Sequence, residues 1–244
     1  MGALLKVLGC SRLQNIRFSS AMFGATFPGQ SDKTGQNSTK KNILYLNASH
    51  GDKSLVAQGA KTFLENLKFD KSVEEVNIWK TAPEIQYSVN HAVAKMRILN
   101  GEGSEADEEL FGPVLKAASE INRTDLVLIS TPMWNYSVPY PLKQYIDTIV
   151  QPGINFCDES QSSLSSLRGR HLVVFSSAGA VYHDQSHNQD FLNPYLGQVF
   201  RLMGFDSQEF VFIEGTSSKT AEDLVQFTKT GAVLAANNVN KALL

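Results

Sequence analysis

Three short stretches hold the residues best suited to chemistry, and none is built like an acid–base pair or a metal site. The first, Ala48-Ser49-His50-Gly51-Asp52-Lys53-Ser54, separates a short apolar run from an amphipathic segment. Small and hydroxylated residues ahead of a helix make an anion cradle. Free backbone N–H groups, serine hydroxyls and the positive end of the helix dipole converge there. Ser49 and Ser54 suit a phosphate monoester, and equally suit plain loop and helix-cap duty. The second stretch offers Pro132, Met133, Trp134, Asn135 and Tyr136 in succession, with Pro139 beyond. It is a flat, aromatic-rich surface with backbone amides between prolines. A planar tricyclic ring can lie on it and take hydrogen bonds along one polar edge, or the aromatic side chains simply pack. The third, Ser177-Ala178-Gly179-Ala180, is uniformly small, so backbone can approach a ligand closely. Tyr182 and His183 follow as candidate proton donors. His183 and His187 stand four apart but have only Asp184 as a further ligand type, so a polar loop is the reading there and no metal is expected.

These stretches need a scaffold that brings them together. Ile43–Asn47 reads as a buried strand, Ser54–Leu67 as a helix with Val56, Ala60, Phe63, Leu64 and Leu67 on one face, and Val73–Trp79 as a second strand nearer an edge. Residues 80–104 carry few signals. A helix follows from Glu105 to Ile121, with Pro113 as a kink or break. Asp125–Thr131 is the strongest strand. Leu142–Val150 is helical, with Ile146, Ile149 and Val150 inward and Lys143/Asp147 spaced as an i,i+4 pair. Leu172–Ser176, a helix over Phe191–Met203, Glu209–Ile213 and a helix over Thr220–Val239 complete the series, the last opening on a Thr220/Asp223 capping box. Five strands alternating with helices specify an α/β, doubly wound parallel sheet. Ligands of such sheets sit at the carboxyl ends of the strands. The loops after strands one, three and four (Ala48–Lys53, Pro132–Pro141, Ser177–Asn188) are the three stretches above.

The chain of 244 residues is 42% hydrophobic and 19% charged, which excludes a disordered chain. No apolar run is long enough to cross a bilayer as a helix. Two cysteines, Cys10 and Cys157, and no C-x-x-C exclude a disulfide scaffold and a zinc ribbon. No Walker lysine motif and no G-x-G-x-x-G follows a strand, which excludes a P-loop and a dinucleotide fingerprint, and the absence of G-x-S-x-G argues against a hydrolase elbow. Residues 1–41 hold Lys6, Arg12, Arg17, Lys33, Lys40 and Lys41 against Asp32 alone, so a net charge of −2 leaves the rest acidic. An acidic body is a poor nucleic-acid partner. The first 27 residues lack acids and interleave Arg and Lys with apolar residues and serines, the composition of an organelle transit peptide. Residues 28–41 read as a flexible linker. Two parts are expected: a targeting segment with linker over 1–41 and one domain over 42–244. A tail without an address, or a start at Met22, remains open.

With the residues laid out, the middle of the chain resembles the FMN-dependent NADH-azoreductase and NAD(P)H:quinone oxidoreductase family, once misnamed acyl carrier protein phosphodiesterase. The resemblance runs over about 42–240. It rests most firmly on Pro132–Asp147 with Gly153–Phe156 after it, and is supported by Ala94–Lys95, Asn193–Leu196 with Met203–Phe205, and Phe210–Gly215. It implies a flavodoxin-like sheet of order 2-1-3-4-5, a homodimer with FMN at the subunit interface, and ping-pong hydride transfer from NADH or NADPH to quinones and azo compounds. Carried onto this chain, Ser49 and Ser54 with the backbone of Leu55 and Val56 hold the FMN phosphate. Pro132 and Met133–Tyr136 lie along the ring, with an Asn135 or Tyr136 amide at its N5/O4 edge. Ser177, Ala178, Gly179 and Ala180 take the pyrimidine end, and Phe156 walls the substrate cavity.

The chain departs from the family pattern in two places. Where relatives often carry S-P-R and S-x-S, this chain has Ser49-His50-Gly51 and ends with Val56, and its fourth-strand loop lacks an arginine. One hydrogen bond fewer to a charged phosphate costs about 1.5–3 kcal/mol, or roughly ten- to hundredfold in FMN affinity, unless His50 or Lys53 substitutes. Alternatives from other classes are a flavodoxin-like electron carrier that does not oxidise NAD(P)H, and a flavin-free binding protein. The transit-like start points to a mitochondrion, with plastid or cytoplasm as alternatives.

Overall fold

The computed structural model describes residues 40–51, 53–81, 87–151, 154–156, 169–182 and 189–244. The expected targeting segment up to residue 39, His183, His187 and Gly153 lie outside the described residues. Seven elements make the first half: β1 (Lys41–Asn47), α1 (Leu55–Glu65), β2 (Lys71–Asn77), a short α2 (Ile78–Thr81), α3 (Val89–Asn100), α4 (Glu105–Glu120) and β3 (Leu126–Pro132). Five more make the second: α5 (Tyr140–Ile149), β4 (His171–Ser177), α6 (Leu192–Leu202), β5 (Ser207–Ile213) and α7 (Ala221–Leu243). The strands form one all-parallel sheet of order β2-β1-β3-β4-β5, the order expected.

β1, β3 and β4 are apolar on both faces because helices cover both faces. Ile43, Tyr45, Leu128, Phe175 and Ile213 pack under α1 and α7 with Phe63 and Val239. Leu44, Leu46, Val127, Ile129 and Val174 face the other way, onto α5 and α6 with Ile146, Ile149 and Phe200. Contact on the first face is close. A Cβ on Gly59 of α1 would stand 2.5 Å from the Phe175 ring, so only glycine lets α1 lie this near β4. A smaller apolar group of Ile98, Phe111, Val114 and Leu115 joins α3 to α4, with Tyr87 and Ile154 against it.

Several expectations need correction. The second strand starts earlier and ends at Asn77, because the Asn77 side chain accepts the Trp79 amide at 3.1 Å and turns the chain into α2. Ile78 and Trp79 are therefore helical. The quiet stretch 80–104 contains α3, opened by Ser88, whose amide donates to His91 Nδ1, and closed by Gly101 in the left-handed region. α4 runs through Pro113 without ending. α7 continues past Val239 to Leu243. The Thr220/Asp223 pair supplies one half of a capping box, the Asp223 amide donating to the Thr220 hydroxyl at 3.1 Å. Smaller shifts at the ends of β3, β4, β5, α5 and α6 are frayed-end differences. Lys143 and Asp147 do pair, at 2.7 Å to each carboxylate oxygen.

Candidate functional site

The loop after β1 is held from beneath by one amide side chain. Asn47 Oδ1 accepts from the Ser49 hydroxyl at 2.6 Å, the Ser49 amide at 3.1 Å and the Ser130 hydroxyl at 3.2 Å. Tyr45 OH joins Ser130 Oγ at 2.8 Å, and Asn47 Nδ2 donates to Glu75 at 2.7 Å. Ser49 is thus buried with its hydroxyl donating to Asn47, the loop duty that the sequence left open beside the phosphate contact the resemblance implies. Ser54 stands differently. Its Oγ caps α1 by accepting the Ala57 amide at 3.2 Å, which leaves the hydroxyl proton available to an anion. The amides of Leu55 and Val56 donate to no acceptor among the described residues, as the first turn of a helix requires of some donors. The Val56 side chain is buried in the core and offers no hydroxyl equivalent. His50 and Lys53 are exposed.

The loop after β3 makes a tight turn. Trp134 N donates to Ser137 O at 2.8 Å and Ser137 N to Trp134 O at 3.0 Å, a one-rung antiparallel bridge. The two residues between, Asn135 and Tyr136, have φ of 48° and 67°. Asparagine tolerates this region, whereas an aromatic residue there is a strained outlier. The amides of both donate to no acceptor among the described residues. Met133 N donates to Ser177 O at 2.7 Å and so ties this turn to the end of β4. Pro132 is buried, while Trp134 and Tyr136 are exposed.

The loop after β4 is gripped from the β5 side. The carbonyls of Ala178, Gly179 and Ala180 accept the amides of Thr216, Ser217 and Gly215. The amides of Gly179 and Ala180 keep no acceptor among the described residues. The space a side chain at Gly179 would need is filled by the Ser217 hydroxyl, 2.8 Å from an ideal Cβ. Its smallness therefore serves the β5 loop at least as directly as a ligand. Tyr182 N donates to the buried Glu214 at 2.6 Å, and the Tyr182 ring stacks on Phe212 and meets Tyr136 edge-on. Partial burial, with Tyr136, Asp190 and Glu214 nearby, holds the Tyr182 phenol above its ordinary pKa, so it stays protonated.

The sequence-derived residues of loops one, three and four that are described therefore share the carboxyl end of the sheet. α5 runs about 15 Å back along the sheet from Tyr140. Beyond it Asn155 is pinned to the Ile149 and Ala118 carbonyls and to the Gln151 amide, and Ile154 O accepts from Asn122. Phe156, next in the chain, is half-buried. Two further residues stand at the carboxyl end. Glu214, within the Phe210–Gly215 stretch, accepts the Tyr182 amide. Trp79, expected in a strand, is in α2, and its ring lies 5.2 Å from Trp134 and 6.3 Å from His50. An Asn followed by an aromatic at the end of a weak strand was the legible sign of that turn.

The donors without an acceptor among the described residues fall in two sets: the amides of Leu55 and Val56, beside the Ser54 hydroxyl at the start of α1, and the amides of Asn135, Tyr136, Gly179 and Ala180 in the loops after β3 and β4. Among the described residues no three His, Cys, Asp or Glu side chains gather as metal ligands. No described helix is long and apolar enough to cross a membrane.

Fold and loops together define a flavodoxin-like α/β protein with its site across the carboxyl ends of β1, β3 and β4. A profile of the flavodoxin-like fold family matches residues 41–230. The chain is 30% identical over 183 residues to the FMN-dependent NADH:quinone oxidoreductase 1 of Bradyrhizobium diazoefficiens, covering 72% of this chain and 87% of that one. It is 30% identical over 187 residues to the FMN-dependent NADH:quinone oxidoreductase of Desulfotalea psychrophila, covering 73% and 87%. An FMN-dependent NADH-azoreductase from Bacillus anthracis, solved in complex with FMN, superimposes with a TM-score of 0.71 at 20% identity, covering 82% of this chain and 99% of that chain, which is a likeness of fold. The chain belongs to the FMN-dependent NADH:quinone oxidoreductase family.

Proposed function

We propose that the protein is an FMN-dependent oxidoreductase that takes hydride from NADH or NADPH and delivers it to quinones and azo compounds in two alternating half-reactions at one site. The observation that carries this reading is the set of six backbone amides without an acceptor among the described residues, at Leu55, Val56, Asn135, Tyr136, Gly179 and Ala180, in loops at one end of the sheet. FMN supplies the two-electron hydride carrier, chemistry that no side chain here provides.

The chain's own contribution is binding and polarisation. The Ser54 hydroxyl and the Leu55 and Val56 amides hold the phosphate, each such bond to a charged group contributing about 1.5–3 kcal/mol. The Asn135 and Tyr136 amides, fixed by the turn, stabilise negative charge at the polar ring edge without reorganising. Met133 and Trp134 support the ring, and Gly179 and Ala180 donate to its far edge. Tyr182, kept protonated, hands a proton to the reduced acceptor.

A homodimer completes the site in this reading. Trp134, Tyr136 and Tyr140 surround it with exposed aromatic surface, Tyr140 being 72% exposed. In this reading Phe156, half-buried, walls the substrate cavity, as the resemblance implies. The acid-free start supports delivery to a mitochondrion, which a fluorescent fusion of residues 1–41 tests. Steady-state kinetics with NADH and a water-soluble quinone test the reaction. Parallel double-reciprocal lines and dependence on added FMN are expected, and no NADH oxidation in the presence of FMN overturns the reading.

A further inference from the structure

The chain's two tryptophans, Trp79 and Trp134, meet at a ring separation of 5.2 Å between the phosphate-side loop and the ring-side turn. Trp79 is anchored on the first of these. Its indole N–H is shared between the Ala48 and Ser49 carbonyls, both at 3.1 Å. Its ring then touches the second. Trp134, immediately before the left-handed pair Asn135 and Tyr136, packs on it, and Tyr140 at the start of α5 meets it edge-on at 6.4 Å. His50 closes the circle, 6.3 Å from Trp79 and 5.5 Å from Trp134. Trp79 is itself placed by the Asn77 turn that ends β2. The residue thus belongs to α2, directly after the second strand.

We propose that Trp79 is a positioning residue that fixes the distance between the phosphate donors of the β1 loop and the ring-edge donors of the Asn135–Tyr136 turn. The physical reason is that the two loops meet beyond the last strand contact. Loop one rests on Asn47 and, through it and the Ala48 amide, on Ser130 of β3, while the turn beyond β3 is tied through Met133 N to Ser177 of β4. Past Ser130 the indole is a side-chain strut between them, with a two-acceptor hydrogen bond at one end and an aromatic face at the other, and His50 packs beside it. A ligand gripped at both ends gains from having its two anchors held at the right separation, in the way that a linked pair of sites gains effective concentration. A ligand gripped at one end gains nothing from that separation.

This inference rests on the FMN reading for its ligand but not for its coupling, and two measurements on the full chain keep them apart. In the first, FMN and riboflavin are titrated against the unaltered protein, Trp79→Phe and Trp79→Leu. Trp79→Leu is expected to weaken FMN about tenfold or more while moving riboflavin less than about twofold. Trp79→Phe, which keeps an aromatic face without the N–H, is expected to fall between. Equal loss for both flavins, or loss for neither, overturns the proposal. In the second, without flavin, amide hydrogen exchange is followed in the segment Met133–Ser137. Faster exchange there in Trp79→Leu, with β3 and β4 unchanged, is the expected result. Unchanged exchange in that segment overturns the coupling even if no flavin binds. If the unaltered protein takes up neither flavin, the FMN reading fails and the exchange experiment alone decides the role of Trp79.

Discussion

The two ends of the sheet are built on opposite rules. Where the strands begin, polar groups are tied off by side chains. Asp125 accepts the Asn42 amide at 2.7 Å, Arg170 donates to the Ile121 carbonyl at 2.7 Å, and Asp206 accepts the Gly169 amide. Asn155 alone engages Gln151, Ala118 and Ile149. The side-chain oxygen of Asn122 is buried there without a partner among the described residues. Where the strands end, three pairs of backbone amides have no acceptor among the described residues, and two residues in succession sit at positive φ. Buried or half-buried donors are ordinarily paired. Asn135, Tyr136, Gly179 and Ala180 are exposed, and Leu55 and Val56 open a helix, so these six amides are free to meet solvent or, in the FMN reading, the flavin.

Substitutions that separate the two ends test this contrast. The largest expected effect is at the closed end. Asn155→Ala leaves one amide and two carbonyls without partners, at about 1–3 kcal/mol each before relaxation, so stability should drop by on the order of 3 kcal/mol. Urea denaturation measures it, and FMN affinity of the folded protein should not change. Ser54→Ala strikes both properties. Loss of the α1 cap costs about 1 kcal/mol, and loss of its hydroxyl to the phosphate weakens FMN by about tenfold or more. Riboflavin, lacking the phosphate, should bind Ser54→Ala as it binds the unaltered protein.

pH gives the third test. His171 is buried at the start of β4, where burial and then Lys41 lower its pKa, against a smaller opposing pull from Asp125. Its folded-state pKa lies below the unfolded value, so the unfolded chain takes up the proton first. The stabilising contribution is present above the ordinary histidine pKa of about 6.5 and is lost as pH falls through it. His171→Gln should flatten the fall in urea midpoint over that range, with flavin affinity following its usual course. The smallest effect belongs to the exposed Lys143–Asp147 pair on α5. Lys143→Ala should cost about 0.3–0.5 kcal/mol at low salt and nothing measurable at high salt.

Much of the scaffold was legible because its signals are local. The apolar runs of β1, β3 and β4 have no other use, and strand–helix alternation specifies a doubly wound parallel sheet, whereas the order 2-1-3-4-5 was implied by the family resemblance. The position of the site followed from the topology. What escaped depended on side chains overriding pattern. Asn77 turned a run that looked like continuing strand into α2, and with it moved Trp79 from the sheet to the rim of the site. α3 was hidden because it buries little beyond Ala94, Ile98 and Leu99, although Ser88 and Gly101 marked its ends. The inward turn of Ser49 could not be read from the chain, since it depends on Asn47 accepting two donors from the loop and a third from β3. Nor could the positive φ at Tyr136, which a bulky residue adopts only where tertiary structure imposes it.

The most direct test of the central claim is amide hydrogen exchange on the full chain with and without FMN. Slower exchange on adding FMN is expected in the segments holding Leu55 and Val56, Asn135 and Tyr136, and Gly179 and Ala180, with no change around Gln151 and Asn155. No protection at the three loops, or protection at the end where the strands begin, would contradict it.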